Sequence, residues 1–247
     1  MFEGCAGPVK LSDDLAAGQG LQRSAIQGTD FSHVIYSRAD GRGSVWHVYI
    51  EGDGKPWWGR YIVAPDPTSD KPLMLRLMQQ DAAPQLYLGR PCYLGMVTDP
   101  ACKPWIWTHG RYSDQVVSSM RAALERLIEK HGIDDLVLIG HSGGGTLAML
   151  LAERIAQTRM IITLAGNLDT KAWTERHDYS PLLGSLNPAE RPPLSPQIRQ
   201  FHFAGAQDRN LPATGSDVII VDGVGHVRGW EAIYCEILKA TGGTCRN

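Results

Sequence analysis

Residues 136–144 read Leu136-Val137-Leu138-Ile139-Gly140-His141-Ser142-Gly143-Gly144. The apolar run at 136–139 is typical of a strand that is buried on both faces of a parallel sheet. Helical spacing of apolar residues begins at once at Gly143 and continues to Ala156. A tight turn between such a strand and helix strains the backbone at Ser142, and the neighbouring glycines relieve the crowding. We therefore expect the Ser142 hydroxyl to project at the carboxyl edge of a sheet.

The rest of the chain alternates between strand patterns and helix patterns. Short apolar or β-branched runs predict strands at residues 33–36, 44–50, 85–88, 160–164, 199–204 and 217–221. Helical spacing of apolar residues predicts helices at residues 72–80, 113–130 and 227–240. A turn signal at residues 39–43 predicts that the first two strands form a hairpin. This order predicts an α/β fold, with a mostly parallel sheet that has helices on both faces.

Two stretches lack this periodicity. Residues 1–30 are rich in Gly, Ala, Gln and Ser, so we expect an N-terminal tether or arm before a folded domain at 31–247. Residues 167–198 are dense in Pro, Trp, Tyr and charged side chains and predict a cap or long loop. An aromatic-lined cleft is predicted from loop residues near the expected site, namely Trp57, Trp58, Trp105, Trp107, Tyr112, Trp173 and Tyr179.

An acid and a histidine follow Ser142 along the chain, each directly after a strand pattern. Asp208 comes directly after the strand pattern at 199–204, and His226 comes after the last strand pattern. With the Gly-x-Ser-x-Gly turn, this order resembles the α/β-hydrolase superfamily over residues 45–240. The resemblance implies a three-layer fold in which Ser142 is the nucleophile, Asp208 the acid and His226 the base. Asp169, after the preceding strand, is the alternative acid.

The chemistry explains why these residue types occur together. A neutral serine hydroxyl is a weak nucleophile, so an imidazole must accept its proton, and a carboxylate must orient the imidazole. The resemblance implies a serine hydrolase, with a carboxylesterase that forms an acyl-enzyme as the leading interpretation. A thioesterase or peptidase would use the same triad. A non-catalytic envelope lipoprotein that retains the fold is an alternative of another class.

An oxyanion hole requires two backbone N–H groups aimed at the carbonyl oxygen that gains charge. The resemblance places one donor at Gly143, the residue after the nucleophile. The second should come from the loop after the strand that ends at Ile50, which reads Glu51-Gly52-Asp53-Gly54. We expect either Asp53 or Gly52 to donate there.

The five cysteines predict either reduced thiols or a disulfide framework. Five reduced thiols would be typical of a cytoplasmic protein. The other interpretation pairs Cys92 with Cys102 and Cys235 with Cys245, because each pair closes a short local loop. That framework requires an oxidising compartment, such as the periplasm or another part of the cell envelope.

Cys5 remains after those pairings. Gly4-Cys5-Ala6-Gly7 resembles the junction of a bacterial lipoprotein, in which the cysteine after a small residue receives lipid. The preceding residues 1–3 are not an apolar signal core. The resemblance implies a membrane tether through a lipidated Cys5.

Composition excludes several classes of partner. The net charge is −2 and the basic residues are scattered, so the sequence predicts no nucleic-acid partner. No cluster with metal-ligand spacing occurs, and we expect neither a metal nor a cofactor. The expected partner is a small-molecule ester. Arg111 is a candidate for binding a substrate carboxylate, unless it is only solvated at a helix start.

Overall fold

The computed structural model describes residues 7–38, 43–211 and 217–246. The strands within these ranges are β1 (Gln22–Gln27), β2 (Ser32–Ser37), β3 (Val45–Ile50), β4 (Trp57–Trp58), β5 (Ile62–Val63), β6 (Gln85–Leu88), β7 (Asp135–His141), β8 (Thr158–Leu164), β9 (Arg199–Gly205) and β10 (Val218–Val221). The α-helices are α1 (Pro8–Gly18), α2 (Leu73–Met78), α3 (Pro104–Trp107), α4 (Asp114–His131), α5 (Gly143–Ala152), α6 (Thr170–Arg176) and α7 (Trp230–Thr241).

One eight-stranded sheet organises the described residues, in the order β1-β2-β6-β3-β7-β8-β9-β10. β1, β2 and β6 pair antiparallel, and every later neighbouring pair is parallel. Helices cover both faces: α4 packs with α5, and α2 packs with α1 and α7. The predicted three-layer α/β architecture is therefore confirmed.

The apolar run that ends at the Ser142 turn forms the centre of the sheet. β7 lies between β3 and β8, and Leu138 pairs with Val48 on one side and with Ile161 on the other. The side chains from Leu136 to Ile139 are buried. A strand covered on both faces cannot alternate apolar and polar residues, which explains its continuous apolar sequence.

The expected hairpin between residues 33–36 and 44–50 is wrong, because β6 lies between these two strands. Tyr36 of β2 pairs with Tyr87 of β6, and Val48 of β3 pairs with Leu86 of the same strand. All four residues of β6 are buried, so burial on both faces favours its position inside the sheet. Residues 39–42 of the predicted turn lie outside the described residues.

The expectation of a tether is wrong for residues 8–27. They form α1 and β1, and β1 pairs with β2 from Gln22↔Ser37 to Gln27↔Ser32. Ala16 and Leu21 reach the core. The composition of residues 1–30 did not predict β1, because β1 is an edge strand whose side chains are mostly exposed. Backbone groups, and not an apolar pattern of side chains, form its pairing with β2. Cys5 lies outside the described residues, so its lipidation remains a prediction.

The longest helix agrees with its sequence pattern. The Ser113 hydroxyl caps α4 by accepting from the Val116 N–H at 3.3 Å, and Gly132 ends the helix in the left-handed conformation. Its apolar face is buried and its charged face is exposed. Within the described ranges, no helix combines the length and apolar character that a membrane span requires.

The structure contains two disulfides, Cys92–Cys102 and Cys235–Cys245. Each joins residues ten positions apart and closes a local loop. Disulfides are stable in oxidising compartments and rare in the cytoplasm. The pairs therefore indicate a protein that folds outside the cytoplasm.

We expect the double substitution Cys235→Ala with Cys245→Ala to lower the free energy of unfolding by about 2–3 kcal/mol, because the unfolded chain regains the entropy that the cross-link removes. Denaturant titration followed by circular dichroism measures this loss. The pair Cys92→Ala with Cys102→Ala is the comparison. Because its loop has the same length, its removal should lower the free energy of unfolding by a similar amount. An unfolding curve that superimposes on the wild-type curve would contradict the expectation.

Candidate active site

The turn between β7 and α5 places Ser142 in a conformation that L-residues rarely adopt, with φ 52° and ψ −122°. Tight packing makes the neighbouring glycines necessary. A Cβ atom at Gly140 would lie 2.2 Å from the Gly144 carbonyl oxygen, and one at Gly144 would lie 2.1 Å from the Ile50 carbonyl oxygen. The Ser142 N–H also donates to the Leu164 carbonyl at 3.0 Å. The turn is therefore fixed from both neighbouring strands.

The structure brings Ser142, His226 and Asp208 into one hydrogen-bonded chain. His226 Nε2 lies 3.1 Å from the Ser142 Oγ, and His226 Nδ1 lies 2.8 Å from the Asp208 Oδ2. The first distance is within the reach that proton transfer from a serine to a base requires, and the second allows the carboxylate to orient that base. The three residues come from the turn after β7 and the loops after β9 and β10, which all end at the same edge of the sheet.

Asp208 is held as an ionised carboxylate. Its Oδ1 accepts the N–H groups of Asn210 at 2.8 Å and Leu211 at 3.0 Å. Burial raises the pKa of the Asp208 carboxyl, but the hydrogen bonds from His226 and from these N–H groups outweigh burial, so the pKa lies below its ordinary value of 3.8. The carboxylate can therefore stabilise a protonated His226 without accepting its proton.

Asp169, the alternative acid, lies elsewhere. Its Oδ1 accepts the N–H groups of Lys171 and Ala172, each at 3.1 Å, and so caps the N-terminus of α6. Asn187 donates to the same oxygen at 3.0 Å. The structure therefore favours Asp208 over Asp169 as the partner of His226.

His141 forms a hydrogen bond with the backbone of His226. The position of His141 beside Ser142 in the sequence did not reveal this contact. The His141 Nε2–H donates to the His226 carbonyl oxygen at 2.7 Å, and the two rings lie 5.0 Å apart between centroids. Burial and the neighbouring His226 lower the pKa of His141 to about 3. A neutral His141 therefore positions the base without adding charge next to it.

Asn210 is a second contact of His226 that the sequence did not reveal. Its Nδ2 lies 3.2 Å from His226 Nε2, the nitrogen that also faces Ser142. With two donors at Nε2 and a carboxylate at Nδ1, the neutral imidazole carries its proton on Nδ1. The Asn210 carbonyl oxygen also accepts from His177 Nε2 at 2.7 Å. Asn210 thus joins the base to the predicted cap segment.

The loop after β3 lies against the nucleophile. A Cβ atom at Gly52 would lie 3.3 Å from the Ser142 Cβ, and one at Gly143 would lie 2.1 Å from the Asp53 Oδ1. The Gly52 N–H donates to the Glu51 Oε1 at 3.2 Å. The Asp53 N–H makes no hydrogen bond within the described part of the chain. This geometry favours Asp53 over Gly52 as the second oxyanion donor, with Gly143 as the first.

A cavity of about 660 Å³ opens above Ser142 and His226. Three of the seven aromatic residues expected in the cleft line it, namely Trp57, Trp173 and Tyr179. The other four do not: Trp58 and Trp105 are exposed, and Trp107 and Tyr112 are buried in the core. Tyr61, Lys55, Arg60 and Lys71 add aromatic and charged surface to the lining. Its wall is therefore mixed rather than purely apolar.

Arg111 lines this cavity but is only 4% exposed. Its guanidinium group pairs with the Asp53 carboxylate at 2.9 Å. The expectation of a merely solvated arginine is wrong, because this ion pair holds it under the loop.

Solved structures share this arrangement of strands and helices. A proposed lipase from Acinetobacter baumannii aligns over 96% of this chain and 95% of its own, with 13% identity and a TM-score of 0.60. An α/β serine hydrolase without a lid from Xanthomonas campestris aligns over 90% and 94%, with 10% identity and a TM-score of 0.57. The chain has the α/β-hydrolase fold.

Two further similarities are partial. An acylaminoacyl peptidase from Pyrococcus horikoshii also shares the α/β-hydrolase fold, over 92% of this chain but 43% of the peptidase, with 11% identity and a TM-score of 0.57. The model of the family Lipase (class 3) matches residues 93–167, which include the Ser142 turn. No curated protein matches the sequence.

Glu51 is a buried carboxyl group beside the α/β-hydrolase turn. It accepts the Met74 N–H at 3.0 Å and lies 3.9 Å from His141 Nδ1. Burial raises its pKa from 4.5 to about 7, against the lowering effect of the Met74 and Gly52 N–H groups. The charge next to the proposed oxyanion loop therefore changes near neutral pH.

We expect Glu51→Gln to reduce the pH dependence of stability. Because its pKa in the folded protein is about 7 instead of 4.5, Glu51 binds its proton more tightly in the folded state. Its stabilising contribution is complete below about pH 4.5 and is lost as the pH rises through about 7. The free energy of unfolding of the wild type, relative to Glu51→Gln, should fall between these values.

Urea titrations at several pH values measure this difference. Glu129→Gln, on the exposed face of α4, is the matched control for replacing a glutamate by glutamine. A constant difference for Glu51→Gln would show that the buried carboxyl does not titrate there.

Proposed function

We propose that the chain is a serine hydrolase that cleaves carboxylic esters through an acyl-enzyme on Ser142. The observation that carries the proposal is the hydrogen-bonded chain from Ser142 through His226 to Asp208. The strained turn supports it, because a backbone conformation of this cost persists where the surrounding structure enforces it, often at a functional site.

In the proposed first half-reaction, the Ser142 Oγ attacks the ester carbonyl carbon while His226 Nε2 accepts the hydroxyl proton. The carbonyl oxygen becomes an oxyanion and accepts the N–H groups of Gly143 and Asp53. When the tetrahedral intermediate collapses, the bond to the alcohol oxygen breaks and His226 returns its proton to that oxygen. The acyl group stays on Ser142.

The second half-reaction repeats these steps with water. His226 accepts a proton from water as its oxygen attacks the acyl carbon, and the bond to the Ser142 Oγ then breaks. Ser142 recovers its proton from His226, and the carboxylic acid leaves. Asp208 stabilises the protonated imidazole in both halves.

The cavity favours compact or aromatic esters as substrates. Its volume of about 660 Å³ suits a small molecule, and Ser142 and His226 are among the residues that line it. Trp57, Trp173 and Tyr179 offer flat apolar surfaces, whereas Lys55 and Arg60 interrupt the apolar wall that a long acyl chain would need. A thioesterase and a peptidase are alternatives with the same machinery.

We expect a fluorophosphonate probe to label the wild-type protein and to leave Ser142→Ala unlabelled, because the probe reacts with an activated serine. In-gel fluorescence and intact mass measure the adduct. Ser24→Ala is the matched control, since Ser24 is exposed on the edge strand β1, and it should label like the wild type. An unlabelled wild type would favour the non-catalytic alternative.

We expect hydrolysis of p-nitrophenyl esters to be fastest for short acyl chains and to decline as the chain grows past the apolar surfaces of the cavity. The values of kcat/KM for acetate through palmitate esters measure this preference. A peptide p-nitroanilide and an acyl thioester of the same acyl group are run in parallel. Faster turnover of either one would replace the ester assignment.

A further inference from the structure

A buried charged cluster surrounds the Asp53 side chain, next to the proposed oxyanion hole. Arg90 donates to the Asp53 Oδ1 at 2.5 Å, and Arg111 donates to the Oδ2 at 2.9 Å. The Tyr112 hydroxyl lies 2.8 Å from one carboxylate oxygen and 2.7 Å from the other. The side chains of Arg90 and Arg111 are 2% and 5% exposed.

The cluster also fixes the backbone of Asp53. The Tyr93 hydroxyl donates to the Asp53 carbonyl oxygen at 2.9 Å, and the Arg90 guanidinium lies 5.0 Å from the centre of the Tyr93 ring. Arg111 is itself anchored by its Nε–H, which donates to the Thr108 carbonyl oxygen at 2.6 Å. The carboxylate and carbonyl of Asp53 are therefore both bound, and its N–H is the polar group left for a ligand.

The cluster reverses the sign of the charge beside Gly143. The Asp53 Oδ1 lies against this residue, since a Cβ atom there would be 2.1 Å away. A lone carboxylate at that place would repel an oxyanion. While the neighbouring Glu51 is protonated, two guanidinium groups against the Asp53 carboxylate leave a surplus positive charge. Buried charges act strongly because water screens them little.

A structural ion pair would not need this arrangement. One arginine would neutralise Asp53, and buried charges stabilise a fold less well than apolar residues of similar volume. The Arg90 Nε is also buried without a hydrogen-bond partner within the described ranges. Burying a second cation and an unpaired donor costs stability, which points to a use other than holding the fold together.

We propose that Arg90 and Arg111 are positioning residues for the oxyanion hole: they fix Asp53 so that its N–H faces the reacting carbonyl oxygen, and they make the local charge positive. The inference rests on the proposed hydrolase function. The pKa of the Asp53 carboxyl agrees with this inference. Burial alone would raise this pKa, but the positive charges of Arg90 and Arg111 have the larger effect and hold it well below its usual range.

Arg111→Gln tests the inference in the whole 247-residue chain. We expect kcat for a p-nitrophenyl ester to fall roughly 10- to 100-fold with little change in KM, since the lost interaction acts on the transition state. Arg154→Gln is the matched control, because Arg154 pairs with Asp114 on α4, and its kcat should stay at the wild-type value.

A second substitution separates charge from packing. In the Arg111→Gln background, Asp53→Asn removes the carboxylate that neutralises Arg90 and so restores a surplus positive charge, and we expect it to restore part of kcat. A purely structural role for Arg111 predicts no such recovery, because Asp53→Asn removes a further charged partner of Arg90. Thermal unfolding is measured for each variant, and if Arg111→Gln does not fold, Arg111→Met, which also lacks the positive charge, replaces it with the same expected recovery.

The outcomes distinguish this inference from the proposed function. Wild-type protein that neither labels with a fluorophosphonate nor hydrolyses any ester overturns the hydrolase proposal. Active wild type, with Arg111→Gln at wild-type kcat or with no recovery from Asp53→Asn, overturns the positioning role alone.

Discussion

The close approach of α5 to the end of β3 is the constraint on which the site depends. Gly144 packs so tightly against the Ile50 carbonyl oxygen that a methyl group has no room between them. This contact holds the Ser142 turn in its unfavourable backbone conformation and brings the loop that follows β3 next to the hydroxyl. The nucleophile and the candidate oxyanion donors therefore share one packing contact, so neither can move independently of the other.

Around this turn, buried polar groups set the geometry of the base. Asp208 and Asn210 contact the two nitrogens of His226, while His141 binds its carbonyl oxygen. Each of these groups has a specific hydrogen-bond partner. In surroundings of low dielectric constant, a buried polar group without a partner would cost free energy. Because Asn210 also binds His177, the segment that lines one wall of the cavity is connected to the imidazole through a single residue.

Local patterns in the sequence predicted the parts of the fold whose signal is local. The apolar run of β7, the glycines of the turn and the cap of α4 each depend on residues a few positions apart. The place of β6 between β2 and β3 and the pairing of the exposed edge strand β1 depend on distant partners, and single-sequence periodicity does not encode them. The same holds at the site. Asp208 and His226 follow an ordered motif, whereas Arg90 reaches Asp53 across 37 positions with no recurring spacing.

The disulfide between Cys92 and Cys102 lies within the segment that carries this cluster. Arg90 and Tyr93 lie on either side of Cys92 in the sequence, and both donate hydrogen bonds to Asp53. The cross-link therefore limits the motion of both residues. A newly synthesised chain in a reducing cytoplasm would lack this restraint. Oxidation would then do more than add stability, because it would complete the rigid support of the reactive edge only after the chain had reached its destination.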